Sequence, residues 1–226
     1  AQLPLSARDA LLWERSAQQI AAQRCGSLIV RLVDQDNNPL RGVRVCYAQR
    51  SHALALGVRY PFCARTYGLL QSAGINSATI WLGWQDVQPE LGLWNWEYVE
   101  RVWNPAALAR RGLRLHAESL LWLKPGWRVM PSFFLQAPPA EQPRLVYEHV
   151  HEIVRRWGAH IASYELVNEP FWKHADLARL TLPQMVRLVH AASLAVRDMA
   201  PLAKLEVNFA EVSRIPSYRV RPMDFL

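Results

Sequence analysis

The chain has 226 residues, 51% of them apolar and 20% charged, which suits one large globular domain or a small module joined to a larger one. Its formal net charge is +7, carried almost wholly by arginine: the only lysines are Lys124, Lys173 and Lys204, and no basic run exceeds two residues. Dispersed charge of this kind builds no nucleic-acid stripe, although it favours an acidic partner or an anionic membrane surface, and no apolar run approaches the roughly 18 residues that span a bilayer.

Residues 8–23 read as a helix with Leu11, Leu12 and Ile20 on its apolar side, stopped by Gly26. Segments 27–34 (SLIVRLVD) and 42–48 (GVRVCYA) alternate apolar with polar around Asp36-Asn37-Asn38-Pro39, which predicts a hairpin. A lone hairpin is marginal in water, so this one is expected to pack on something larger. From residue 52 the texture changes to short apolar strands alternating with helices. Strands are predicted over 53–59, 77–83, 113–122, 163–168 and 204–209, and helices over 64–73, 97–111, 141–157 and 183–199. Pro105 interrupts the second helix and divides it into two pieces. In the third, Val146, Val150, Ile153, Val154 and Trp157 share one face. The fourth opens with Pro183 in its first turn and carries Met185, Leu188, Val189, Ala192, Val196 and Met199 inward. Gly74 and Gly112 stand where helix C-caps belong. The expected organisation is a helix-plus-hairpin module over 1–51, a strand–helix domain over 52–212 and an extended tail over 213–226.

Alternating strands and helices imply parallel strands with right-handed crossovers, either an open doubly wound sheet or a barrel. No glycine-rich phosphate loop follows any strand, which weakens the nucleotide-binding version, and no cofactor is expected. In a barrel, chemistry sits at the C-terminal strand ends. The fourth strand ends in Tyr164-Glu165-Leu166-Val167-Asn168-Glu169-Pro170. An acid there suits protonation of a leaving glycosidic oxygen, and the Asn168 amide beside it suits a sugar hydroxyl. The plainer role for Glu169 is to cap the following turn. Ten tryptophans supply either a Trp-rich core or stacking platforms for sugar rings, with Trp84, Trp122 and Trp172 the candidates for the second role. Cys25, Cys46 and Cys63 are too few and too irregular for a metal site, and leave one disulfide plus a free thiol or three buried thiols equally open.

Several segments together resemble glycoside hydrolase family 10, which contains the endo-β-1,4-xylanases. The run Trp84 to Trp96, with Gln88-Pro89, Gly92 and Trp94-Asn95-Trp96, is similar to the family's segment after the second strand. Leu113 to Trp127, containing Leu120-Leu121-Trp122, resembles its third strand; Tyr164 to Glu169 its acid/base strand; and Leu205-Glu206-Val207-Asn208 its fifth. The hairpin followed by Arg50-Ser51-His52 resembles a lead-in of some members. The resemblance implies an α/β fold, a partial (β/α)8 barrel of about five β/α units. It also implies that Glu169 is the acid/base residue or its relic, with Asn168, Asn208, Trp84, Trp122, Glu118 and Trp172 on the sugar-binding surface and no metal.

The departures from the family are equally specific. Its lysine before the second-strand Trp is Gly83 here, its nearby asparagine is Ile80, its third-strand histidine is Glu118, and a second histidine is Leu123. These groups line the subsite nearest the cleavage point, so their loss removes contacts that count most in the transition state. His116 falls two positions from the family's histidine and reads as a strand residue. The family's nucleophilic glutamate lies on the seventh strand, whereas this chain reaches Leu226 just past its fifth. The expectation is a glycosidase-like scaffold, inactive as this chain, that binds or supports a larger assembly; the alternative is a fragment of an active retaining xylanase. A second protein chain over the open barrel edge and a β-linked polysaccharide are the expected partners, with no nucleic acid. The start at Ala1 and the habit of similar proteins point to an extracytoplasmic location.

Overall fold

A computed structural model describes residues 7–24, 26–49, 52–59, 64–124, 129–170 and 180–209, and divides the chain into two compact units, Ala1–Gln49 and Arg50–Leu226. In the first unit α1 spans Ala7–Arg24, with Leu11, Leu12, Trp13 and Ile20 exposed. The predicted hairpin is reduced to its tip. Asp34 Oδ1 accepts from the backbone N–H groups of Asp36 and Asn38 at 2.9 and 2.8 Å, Asn37 takes a left-handed φ of 68°, and a single antiparallel bridge joins Val33 to Pro39. The flanking segments form no ladder and leave Leu28, Ile29, Val43 and Tyr47 exposed. Two strands alone bury too little apolar surface to offset the backbone entropy of pairing.

The second unit is a strand–helix succession: β1 (Gly57–Arg59), α2 (Ala64–Ser72), β2 (Ser77–Trp81), α3 (Trp84–Val87), α4 (Trp96–Val102), α5 (Pro105–Arg110), β3 (Arg114–Glu118), α6 (Ser132–Gln136), α7 (Gln142–Trp157), β4 (Ile161–Asn168), α8 (Leu182–Met199) and β5 (Lys204–Asn208). The break at Pro105 is real: Asn104 adopts a left-handed φ of 38° and its side chain accepts from Ala107 N, so α5 starts with its own cap. Gly74 and Gly112 follow α2 and α5 with φ of 83° and 82°, the backbone that ends a helix most easily when the residue is glycine. The short helices α3 and α6 carry no sequence period long enough to be read.

The sheet order is β1-β2-β3-β4-β5 and every pairing is parallel. Each strand lies beside the next in sequence, with no reversal. That is the winding of a barrel arc; a doubly wound sheet changes direction at a switch point. The strands have two unlike faces. Ala78, Ile80, Leu115, Ala117 and Tyr164 are buried in the main core. The alternate positions Thr79, Trp81, His116, Glu118 and Ser163 are only partly covered. Most of the α7 and α8 stripes read from the sequence pack into the core, and the two helices pack extensively on each other. Met199 is a correction: it is exposed at the last turn of α8, where it lines an open hollow with Ile161, Ala162 and Lys204 at the starts of β4 and β5.

Trp84 opens α3 and lies within the core. Its ring stacks on His149 of α7 at 4.2 Å and 12°, and Trp94 stacks on the same imidazole at 5.6 Å and 3°. Gln88 Oε1 accepts from Trp84 Nε1 at 2.9 Å and faces His149 Nδ1 at 3.0 Å. Among the described residues no helix is long and apolar enough to cross a membrane.

Candidate active site

Asn168 is the last residue of β4, and Glu169 follows it with a left-handed φ of 50°. Both neighbouring strands fix this turn. Asn168 N donates to Leu121 O at 2.8 Å, Glu169 N donates to Asn208 O at 2.8 Å, and Asn208 Nδ2 donates to Asn168 Oδ1 at 2.8 Å. The buried Asn168 amide is therefore spent in part on a strand-to-strand tie. The Glu169 carboxylate stays partly open to solvent and accepts from Trp122 Nε1 at 3.1 Å. The carboxyl is thus held at the strand end by a backbone pinned on both sides and by one oriented donor, with a face left toward solvent.

Beyond Trp122 the surface continues into Trp81, whose ring meets it edge-on at 5.8 Å and 73°. Trp81 closes β2, and its Nε1 donates to Asp86 Oδ2 at 2.7 Å. The guanidinium of Arg59 stands 5.7 Å from the Trp81 ring centroid and donates to Glu118 Oε1 at 3.1 Å. Lys124 Nζ lies 4.7 Å from the Trp122 ring centroid. Electrostatic and quadrupole attraction thus brings cations against both indoles.

Below this rim the same sheet face is polar. His116 Nδ1 lies 2.8 Å from Ser163 Oγ and 3.9 Å from Glu206 Oε1. Glu165 pairs in register with Glu206 and is only 5% exposed; its Oε1 has no hydrogen-bond partner. Burial, aided by the charges of Glu118, Glu206 and Glu169, pushes its carboxyl up to about 8, against a smaller opposing effect of the Ser119 hydroxyl. The fold thus favours the protonated, neutral form of Glu165. An ionisable residue inside the apolar strand Tyr164–Val167 was the signal for it.

The sequence profile of glycosyl hydrolase family 10 matches residues 76–212. The chain belongs to this family. Among solved structures it is similar to a family 10 xylanase from Thermobacillus composti, with 20% identity and a TM-score of 0.52 over 66% of this chain and 44% of that one. A family 10 structure from Paenibacillus barcinonensis matches at 17% identity and a TM-score of 0.58, over 73% of this chain and 53% of that one. A Cellvibrio japonicus xylanase solved with xylopentaose matches at 14% identity and a TM-score of 0.55, over 70% and 35%. The chain thus spans about half, or less, of the length of these structures, whose likeness is one of fold.

Family 10 membership makes the departures structural questions. Ile80, at the position assigned to the family's asparagine, is 0% exposed on the core side of β2. The residue that β2 offers to the site side is Trp81, which the sequence reading passed over. Gly83, in the lysine position, lies beneath the Trp81 indole: a Cβ there would sit 2.4 Å from Trp81 Cε2 and Cζ2. Leu123 is buried. Glu118, in the histidine position, is tied to Arg59. Trp84 is a correction: at 1% exposure, between Phe134 and His149, it offers no face to a sugar. The spacing that suggested a platform instead starts α3, which turns the side chain inward. Glu169, Asn168, Asn208, Trp122 and Glu118 do come together at the ends of β3, β4 and β5. Trp172, Cys25 and Cys63 lie outside the described residues, and Cys46 is an exposed thiol. Among the described residues no group of three or more His, Cys, Asp or Glu side chains could hold a metal ion.

Proposed function

We propose that this part of the family 10 barrel is a sugar-binding scaffold that has kept the acid side of a glycosidase cleft but not its catalytic power. The observation that carries this reading is the Arg59–Glu118 ion pair. In the family pattern the position of Glu118 supplies a histidine to the sugar. Here it supplies a carboxylate committed to an arginine and crowding Glu165. Hydrogen bonds from that subsite strengthen as the ring distorts toward the transition state, so their removal costs rate before it costs affinity.

A second reading has one observation in its favour. Trp122 Nε1 and the backbone ties of Asn168 and Glu169 hold the carboxyl as a working acid would need it. On that reading the chain contributes Glu169 as the acid/base of a retaining β-glycanase, whose nucleophilic carboxylate must stand about 5–5.5 Å from it. Hydrolysis of aryl β-xylosides and of xylan, with Glu169→Gln as the control, tests the choice. Turnover lost in Glu169→Gln would overturn the scaffold reading. Absence of turnover from a protein that binds xylo-oligosaccharides supports it.

A further inference from the structure

Trp81 closes β2 on the partly covered face of the sheet, and the glycine two positions on makes room for it. A Cβ at residue 83 would lie 2.4 Å from Trp81 Cε2 and Cζ2 and 2.6 Å from Nε1, so a side chain at 83 and the indole exclude each other. Four contacts then fix the ring. Asp86 Oδ2 takes its N–H at 2.7 Å, Gly83 lies against it, the Trp122 ring meets it at 5.8 Å, and Arg59 approaches its centroid at 5.7 Å. The alternation of β2 turns Trp81 away from the helix core, and it remains partly exposed. The Arg59 side chain is 60% exposed with one nitrogen on Glu118, leaving a planar guanidinium at the rim. An indole edge beside a planar polar donor is chemistry suited to sugars: the ring meets the C–H face of a pyranose, and the fork donates to its hydroxyls.

We propose that Trp81, rimmed by the Arg59–Glu118 pair, is a ligand-contacting and specificity-determining wall beside Glu169. It takes a neutral, flat-faced β-linked pyranose chain by indole contact, in place of a lysine at position 83. The proposal rests on the reading that this surface binds sugar. Glu206 on the same side of the sheet, and Glu169 in the unsubstituted chain, disfavour an anionic sugar because like charges repel across a partly dehydrated surface, whereas Glu118 is already paired with Arg59.

The test is isothermal titration of the full chain carrying Glu169→Gln, so that nothing turns over, with xylotetraose and with tetragalacturonate. Xylotetraose is expected to bind, and tetragalacturonate more weakly. Trp81→Ala is expected to weaken xylotetraose about tenfold or more. Gly83→Ala keeps the tryptophan but evicts its ring, and is expected to give a comparable loss. Circular dichroism of each variant verifies the fold. Xylotetraose affinity within twofold of the parent in both folded variants would overturn the wall while leaving the sugar-binding scaffold intact. A parent that prefers tetragalacturonate would overturn it also, and a folded parent that binds neither at millimolar concentration would overturn both readings. Hydrolysis by the unsubstituted chain together with Trp81-dependent binding would remove the scaffold reading and leave the wall standing.

Discussion

Trp122 Nε1 donates to Glu169 Oε2 at 3.1 Å, linking the turn after β3 to the carboxyl after β4. Both side chains are half-buried, and a hydrogen bond to a charged acceptor at such depth contributes more than one in bulk water. Trp122→Phe keeps an aromatic ring against Trp81 and removes the donor together with part of the indole's area. It is expected to cost about 1–2 kcal/mol in urea unfolding. A loss below about 0.3 kcal/mol would mean that the bond is not maintained in solution.

Gly83→Ala should destabilise the protein by about 1–3 kcal/mol, the usual cost of forcing a group into filled space. The same substitution in a Trp81→Ala background should be nearly neutral, because the indole is what the new methyl meets. A double-mutant cycle measures the difference. Equal costs in the two backgrounds would show that the ring does not rest over Gly83.

Glu165 makes stability fall as pH rises. Its carboxyl is pushed up to about 8 from an ordinary 4.5, so between those values the folded state holds a proton that the unfolded state has released. The contribution is complete below about pH 4.5 and is lost progressively as pH rises to about 8. Glu165→Gln replaces the acid with a neutral group of the same shape. It should raise the melting temperature more near pH 7.5 than near pH 5. An equal shift at both would mean that the carboxyl titrates normally.

His149 acts in the opposite sense. Burial holds its imidazole well below the ordinary histidine range. Trp84 and Trp94 stack on it, Gln88 Oε1 takes the Nδ1 proton, and Nε2 has no partner. Since the folded state resists protonation, its contribution is intact above about pH 6.5 and lost as pH falls below that. His149→Phe should keep the stack and flatten the drop in melting temperature between about pH 7 and pH 5. An unchanged drop would place the acid sensitivity elsewhere. Glu165 and His149 oppose each other below about pH 6.5, so only single variants separate them.

The winding was legible in the sequence because each strand is a short apolar run flanked by helices with a clear stripe, as Val146, Val150 and Ile153 show on α7. The acid strand was legible for the same reason, since Asn168-Glu169 terminates an apolar run. Trp84 was misplaced and Trp81 went unread for one reason. Both are tryptophans near the end of β2, and their roles depend on a single step: Trp81 is on the outward register of the strand, whereas Trp84 begins a helix of four residues. A turn that short leaves no periodic trace. The hairpin at 27–48 failed in another way. Its alternation is sound, but pairing needs an apolar surface to pack on, and no local pattern reports that.

The left-handed backbone of Glu169 carries a consequence for how this site drifts. Glycine adopts a φ of 50° freely, while a residue with a Cβ pays about 1 kcal/mol for it. Glu169→Gly would therefore relax the turn and discard the acid in one step. The same step would also lose the bond from Trp122 Nε1, and the two effects are of similar size and opposite sign, so the fold by itself sets little preference between glutamate and glycine at the end of β4.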